Sequence, residues 1–442
     1  MPTLSQLAGD LAAGRTTAAE LMEDCLDRIA DPDGEGERTY LGVDAEAARD
    51  AARAMDLLRG AGAEPSAFAG IPISVKDLFD VRGQVTRAGS LVLDGPPAAR
   101  DSSAVARLRR AGLVIVGRTN MTEFAYSGLG INPHHGTPAN PWERRRRRIP
   151  GGSSSGAAVS VTDGMAHGAL GTDTGGSCRI PAALCGLTGF KPTQARVPRD
   201  GAVPLSTTLD AVGVLARSAR CCAILDGLLG DAEPAPPAPL ARAPRLAAVR
   251  NYFLADAEQG VLTAFERMLD RLRNGGAEVA DVELPELDGI AEMNAGGGFA
   301  AAESFAWHRD LIARRADEYD PRVLARIRRG EAQTARDLIV LRERRNTLIE
   351  GVQRRLEGFD AFVSPTVPMA APLLDSLADE DEYTRVNLLM LRNPIVVNML
   401  DGCAVSLPMH EQGEPPMGLM VCGLAGADRQ VLRIAAWIEE LT

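Results

Sequence analysis

Apolar side chains recur along this chain at two spacings that take turns. Residues 3–30 carry helical spacing, with Leu21, Cys25, Leu26 and Ile29 on one face. Thr17-Ala18-Ala19-Glu20 forms a capping box, the threonine oxygen accepting from the first turn and the glutamate reaching back. A second helix is predicted over 44–59, ended by Gly60. Gly70 to Asp77, GIPISVKD, is a short apolar run of the kind that forms a buried strand, with Lys76 at its end. A helix over 103–111, a buried strand from Leu113 to Gly117 and a helix start from Thr119 to Tyr126 follow. Buried strands alternating with helices are the pattern of an α/β protein.

The second half repeats the alternation. Helix is predicted over Leu215 to Leu229, strand over Arg245 to Arg250 and helix over 258–274. A long charged helical region covers about 299–356. Residues 359–366 form a strand that runs into a proline-broken loop. Strands at Ala404 to Leu407 and Gly418 to Cys422 precede a closing helix from about Asp428. The Pro/Ala-rich stretch 232–244, AEPAPPAPLARAP, is the candidate internal connector of a domain spanning 1–442. There are no short-period repeats.

Composition narrows the function. With 442 residues, 45% of them hydrophobic and 24% charged, the chain has the make-up of an ordinary globular protein with a substantial core. A net charge of −11 argues against nucleic-acid binding. The run Arg144 to Arg148 has no aromatic residues interleaved and reads as a solvated surface loop. The seven cysteines show no metal-type spacing and read as reduced thiols. The N-terminus lacks a basic start followed by an apolar run, and no apolar stretch approaches the roughly 20 residues of a membrane span. The expectation is a soluble, cytoplasmic protein with no membrane or nucleic-acid partner.

The candidate chemistry is concentrated in Gly151 to Pro192, which holds two serine-glycine clusters, Gly152-Ser153-Ser154-Ser155-Gly156 and Thr174-Gly175-Gly176-Ser177. Ala169 to Thr172 reads as a strand and Ile180 to Cys185 as a helix start, so the second cluster is a glycine loop between them. Such a loop leaves backbone N–H groups facing outward. Those of Thr174, Gly175, Gly176 and Ser177 are candidates to hold the oxyanion of a tetrahedral intermediate, where one donor is typically worth ~3 kcal/mol. A phosphate-binding loop is the rival, but the lysine and spacing of a P-loop are missing. A serine nucleophile needs a base. None of the five histidines lies in a recognisable triad context. Lys76 at the end of a buried strand can serve if burial keeps it neutral, with a second serine relaying the proton.

These residues resemble the amidase signature family. Its GGSSxG cluster is matched by Gly151-Gly152-Ser153-Ser154-Ser155-Gly156, and its G-(ST)-D-x-GGS-x-R-x-P loop by Gly171-Thr172-Asp173-Thr174-Gly175-Gly176-Ser177-Cys178-Arg179-Ile180-Pro181. Ser153 and Ser177 stand 24 positions apart, as in the family, and Gly189-Phe190-Lys191-Pro192-Thr193 continues the likeness. Ser155 departs from the glycine many members carry. The resemblance covers most of the chain and is weakest between about 230 and 355.

The resemblance implies a large mixed β-sheet covered by helices on both faces. It implies Ser177 as acylated nucleophile, Ser153 as a bridging serine after a cis peptide, and Lys76 as base. Asp173, Arg179 and Ser154 would brace the loop, and Ala125, Tyr126, Ser127 and Gly128 would line the acyl pocket. No metal or other cofactor is implied. The substrate would be a small amide, cleaved to acid and ammonia, and the enzyme a homodimer. The divergent region, about 285–355, would choose the substrate, with Tyr319, Arg322 and His308 unplaced.

Three rivals remain at this level. Gly152 to Gly156 also fits G-x-S-x-G with Ser154 as nucleophile, but that elbow needs a buried strand before it, and RRRRRIP (144–150) cannot be one. The glutaminase component of a tRNA-dependent amidotransferase complex shares the motifs. A catalytically silent binding protein on the same fold would be expected to lack one of Lys76, Ser153 and Ser177, and all three are present.

Overall fold

The computed structural model describes residues 2–230 and 234–442. The apolar runs of the sequence become strands β1 (Tyr40–Gly42), β2 (Pro72–Lys76), β3 (Val114–Thr119), β4 (Ala169–Asp173), β5 (Thr188–Lys191), β6 (Ala211–Ala216), β7 (Arg245–Val249), β8 (Glu278–Val282), β9 (Ala361–Pro365), β10 (Cys403–Pro408) and β11 (Gly418–Gly423). Among the described residues these make one sheet in the order β1-β3-β2-β4-β6-β5-β10-β11-β9-β7-β8. Strand β2 runs parallel to β3 and β4, and β7 runs parallel to β8 and β9. The middle of the sheet, from β4 through β6, β5, β10 and β11 to β9, is antiparallel.

Alternate residues of the central strands enter two different cores. Val363, Val405, Leu419 and Val421 join one cluster with the helices Ala219–Leu229, Gln259–Asn274 and Asp428–Glu439. Phe362, Ala404, Met420 and Cys422 join another with Ala335–Arg355 and Glu380–Met399. A sheet buried on both faces explains why the runs are continuously apolar rather than alternating.

Some boundaries differ from expectation. The helical stretch 3–30 is two helices, Leu4–Ala12 and Ala18–Ala30, parted by Gly14 at φ +66°. Two capping boxes, at Thr3 and Thr17, start them. Residues 215–229 begin as the end of β6, and the helix starts at Ala219 after the N-cap Ser218. Thr119 to Tyr126 does not start a helix. It holds one 3₁₀ turn, Glu123–Ala125, in which Phe124 and Ala125 have φ of +49° and +60°. The region 299–356 breaks into Gly298–Arg315, Pro321–Arg328 and Ala335–Arg355, with Asp320 and Thr334 as caps. Strands β1, β5, β6 and β8 and the helix Glu380–Met399 go beyond the elements expected. Pro394 lies inside that helix, a position that proline ordinarily disfavours because it lacks the N–H donor.

Ala232 and Glu233 of the predicted connector lie outside the described residues, and 234–244 contains no helix or strand. The sheet continues past it through β7 paired to β9. The arginine run folds onto nearby acids: Arg144 pairs with Asp163, and Arg146 and Arg148 with Glu143. All seven cysteines are buried and unpaired. Among the described residues no cluster of His, Cys, Asp and Glu has a metal-holding arrangement, and no helix is long and apolar enough to cross a membrane.

Candidate active site

Parallel pairing of β2 with β4 brings the end of one strand beside the end of the other. Lys76, fully buried at the end of β2, donates through Nζ to Ser153 Oγ at 2.7 Å and to Thr172 Oγ1 of β4 at 3.0 Å. Burial holds the ammonium well below the ordinary lysine range, at about 8, although Cys178, Asp173 and Asp210 pull the other way. Asp77 points away and engages Arg118 Nε at 3.2 Å and the Gly89 N–H at 3.0 Å.

Ser153 follows a cis peptide from Gly152. The Gly152 N–H donates to the Gly128 carbonyl at 2.8 Å, and the Ser153 carbonyl accepts from the Thr122 N–H at 3.1 Å. Glycine is required where these segments cross. A Cβ on Gly130 would lie 2.3 Å from the Gly151 oxygen, and one on Gly152 would lie 2.5 Å from the Gly130 nitrogen. The two serine clusters meet where the Ser154 N–H donates to the Ser177 carbonyl at 3.3 Å. Ser154 ties the loops through its backbone, and its hydroxyl is buried beside the Cys178 thiol. Among the described residues no strand immediately precedes Ser154, which caps the helix Ser155–Thr162, and no histidine bonds it.

Asp173 organises the second glycine loop. It accepts from the N–H groups of Gly176 at 2.9 Å and Cys178 at 3.1 Å, and from Arg179 Nε at 3.0 Å and Nη2 at 2.8 Å. Asn398, at the far end of Glu380–Met399, accepts from Arg179 at 2.7 Å and donates to Asp173 at 3.1 Å. Burial would raise the Asp173 carboxyl, but the buried Arg179 guanidinium outweighs it and holds it at about 2. This network changes the expected donor set. The Gly176 N–H is already committed to Asp173, so it is not free for an oxyanion. The N–H groups of Thr174, Gly175 and Ser177 have no partner among the described residues, nor has the Ser177 hydroxyl.

A cavity of about 380 Å³ opens beside this loop, lined by Leu78, Ala125, Thr172, Thr174, Arg199 and Asp210 among others. The Thr174 hydroxyl donates to Asp210 at 2.6 Å. Burial pushes the Asp210 carboxyl up to about 6, against the pull of that hydroxyl and of the Ser206 and Leu205 N–H groups.

Of the four residues expected to line an acyl pocket, Ala125 is on the cavity wall and the other three are not. Ser127 donates to Asn387 at 2.9 Å and accepts from the Tyr383 hydroxyl at 2.9 Å. The Gly128 N–H also goes to Asn387. The Tyr126 carbonyl takes Arg326 at 3.1 Å. This segment anchors the Ser153 loop to the helix Glu380–Met399. His308, Tyr319 and Arg322 lie off the cavity. His308 bonds Tyr319 at 2.9 Å and packs edge-on against Phe124, while Arg322 stacks on Tyr383. Thr172, Arg199, Asp210 and Asn398 were missed by sequence reasoning. Only Thr172 lay within a recognised motif.

The chain matches the Amidase family over residues 20–432. It is 34% identical over 451 residues to 2-amino-5-chloromuconic acid deaminase of Comamonas testosteroni, covering 99% of this chain and 96% of that protein. It is 33% identical over 496 residues to a component of the glutamyl-tRNA(Gln) amidotransferase of Roseiflexus castenholzii (strain DSM 13941 / HLO8), covering 100% and 96%. A crystal structure of an amidase superposes with a TM-score of 0.90 at 32% identity over 99% of both chains. A chain from a vestigial protein complex bearing on the origins of an s-triazine catabolic enzyme superposes at 0.89 with 28% identity, over 99% of this chain and 98% of that one. The motifs and the sheet agree with these matches: the chain belongs to the amidase signature family of hydrolases that act on amide bonds.

Proposed function

We propose that this enzyme hydrolyses a small carboxylic or urea-type amide to the acid and ammonia through an acyl-enzyme on Ser177. The observation that carries the reading is the 2.7 Å bond between Lys76 Nζ and Ser153 Oγ in a fully buried setting. A lysine held at about 8 is neutral often enough near neutral pH to accept a proton. In this reading Lys76 takes the proton of Ser153, Ser153 takes that of Ser177, and the Ser177 oxygen attacks the amide carbonyl. The oxyanion is met by the N–H groups of Thr174, Gly175 and Ser177. The proton returns to the departing ammonia, and water cleaves the ester by the same route.

The substrate is taken to be a free small molecule and the enzyme a cytoplasmic homodimer. The relative named as a deaminase of 2-amino-5-chloromuconic acid aligns over 451 residues, close to the 442 of this chain. The alignment with the amidotransferase component needs 496, so that protein carries stretches with no counterpart here, which favours the self-sufficient amidase.

Covalent labelling with a broad fluorophosphonate, followed by peptide mapping, tests the reading. Modification at Ser177 that disappears in Lys76→Ala is expected, with ammonia released from an amide panel by the wild type. Labelling at Ser154 would overturn the assignment. Activity that appears only with a large second protein bound would favour the amidotransferase.

A further inference from the structure

The cavity beside the glycine loop has on its wall a cation with no direct ion-pair partner among the described residues. Arg199 lines it, half-buried, and donates from Nη1 to the Thr207 carbonyl at 2.6 Å. It forms no ion pair among the described residues.

The two acids that share the cavity wall make their hydrogen bonds elsewhere, although the Arg199 charge does pull on the Asp210 carboxyl. Asp210 accepts from the Thr174 hydroxyl at 2.6 Å, from the Leu205 N–H at 3.0 Å and from the Ser206 N–H at 3.1 and 3.0 Å to its two oxygens. Asp200 is exposed and holds the Ser103 hydroxyl at 2.7 Å. The rest of the wall is largely apolar, with Leu78, Ala125, Val203 and Val212.

The cavity also adjoins the chemistry. Thr172 belongs to its lining and is the second acceptor of Lys76, and Thr174 belongs to the glycine loop. A guanidinium presents a planar fork of donors that suits a carboxylate, and partial burial strengthens such a pair over a surface one.

We propose that the acyl part of the substrate ends in a carboxylate and that Arg199 binds it, so that the substrate class is the monoamide of a short dicarboxylic acid. This rests on the reading of the cavity as the acyl pocket of a Ser177 amidase. The apolar wall takes the carbon chain, and the amide carbonyl lies toward Thr174.

The experiment compares three amides of matched length: the monoamide of glutaric acid, pentanamide and 5-aminopentanamide, with the dicarboxylic series run from four to six carbons. In the wild type, kcat/KM for the best monoamide is expected to exceed that of its neutral match by about tenfold or more, mostly through KM, as for a hydrogen-bonded charged contact. Arg199→Gln brings that ratio toward one, and Arg199→Lys keeps part of it. Calorimetry of the same three compounds on Ser177→Ala, with and without Arg199→Gln, reads binding apart from turnover. Monoamide binding that weakens about tenfold on loss of Arg199 supports the carboxylate subsite; if at the same time no amide is hydrolysed, the Ser177 reading fails, and the monoamide substrate class with it, while the subsite itself stands. No preference for the monoamide, a preference for the amino compound, a preference that survives Arg199→Gln, or no monoamide binding at all would each overturn it.

Discussion

Lys76 carries the sharpest pH signature among the residues of the site. Its folded value, about 8, is below the ordinary lysine value, so the unfolded chain binds more protons between the two. The buried ammonium therefore opposes folding at neutral pH, and stability rises as pH climbs through 8 toward the usual lysine range. Turnover that depends on the neutral amine rises over the same window. We expect kcat/KM to increase from pH 7 to 9 and level off above, and Lys76→Ala to lose several orders of magnitude at every pH. A rate that falls from pH 7 to 9 in a folded enzyme would rule out the relay. Lys76 was legible as a candidate because a charged residue ended an apolar run. Its partner Thr172 was not, since only the pairing of β2 with β4 brings them together.

The element that matters most is the loop from Asp173 to Arg179 and the helix that holds it. Asp173 and Arg179 were read as a brace from their motif. Asn398, which completes the network, lies 225 positions from Asp173 and comes from a helix with a proline inside. Pro394 itself packs on the loop, where a Cβ on Gly176 would meet its ring at 2.6 Å. Arg179→Met would leave the Asp173 carboxylate buried without its cation, which typically costs about 3–5 kcal/mol. Denaturant melts of the variant should show that loss in the midpoint at pH 7. Because the Asp173 carboxyl is held at about 2 in the fold, its contribution is present above the usual carboxylate value and declines as pH falls toward 2. The gap between wild type and variant should therefore narrow with acid, and a constant gap would mean that the pair is not the source.

Across the whole molecule, the part of the chain expected to diverge is fastened to the cavity. Glu303, on the helix Gly298–Arg315, accepts from the Ser206 hydroxyl at 2.5 Å and the Thr208 N–H at 3.0 Å. That turn supplies the N–H groups that hold Asp210, and Asp210 holds Thr174. Glu303→Ala should loosen the wall, raising KM more than it lowers kcat and making the 199–208 segment more open to limited proteolysis. Unchanged KM and cleavage pattern would show that the helix is a passive cover.

The alternation of buried strands and helices, the two serine-glycine clusters and their spacing were present in the linear chain, because each depends on neighbours within a few positions. They were enough to indicate an α/β architecture and to single out Ser177 and Lys76 as candidates for nucleophile and base. Local patterns could not show that the Gly176 N–H is taken by Asp173, that Ser127 and Gly128 support a loop instead of lining the cavity, or that Arg199 and Asp210 share its wall. Each of those depends on contacts between segments far apart in sequence, and hydrophobic periodicity records which side of an element is buried without recording what it is buried against.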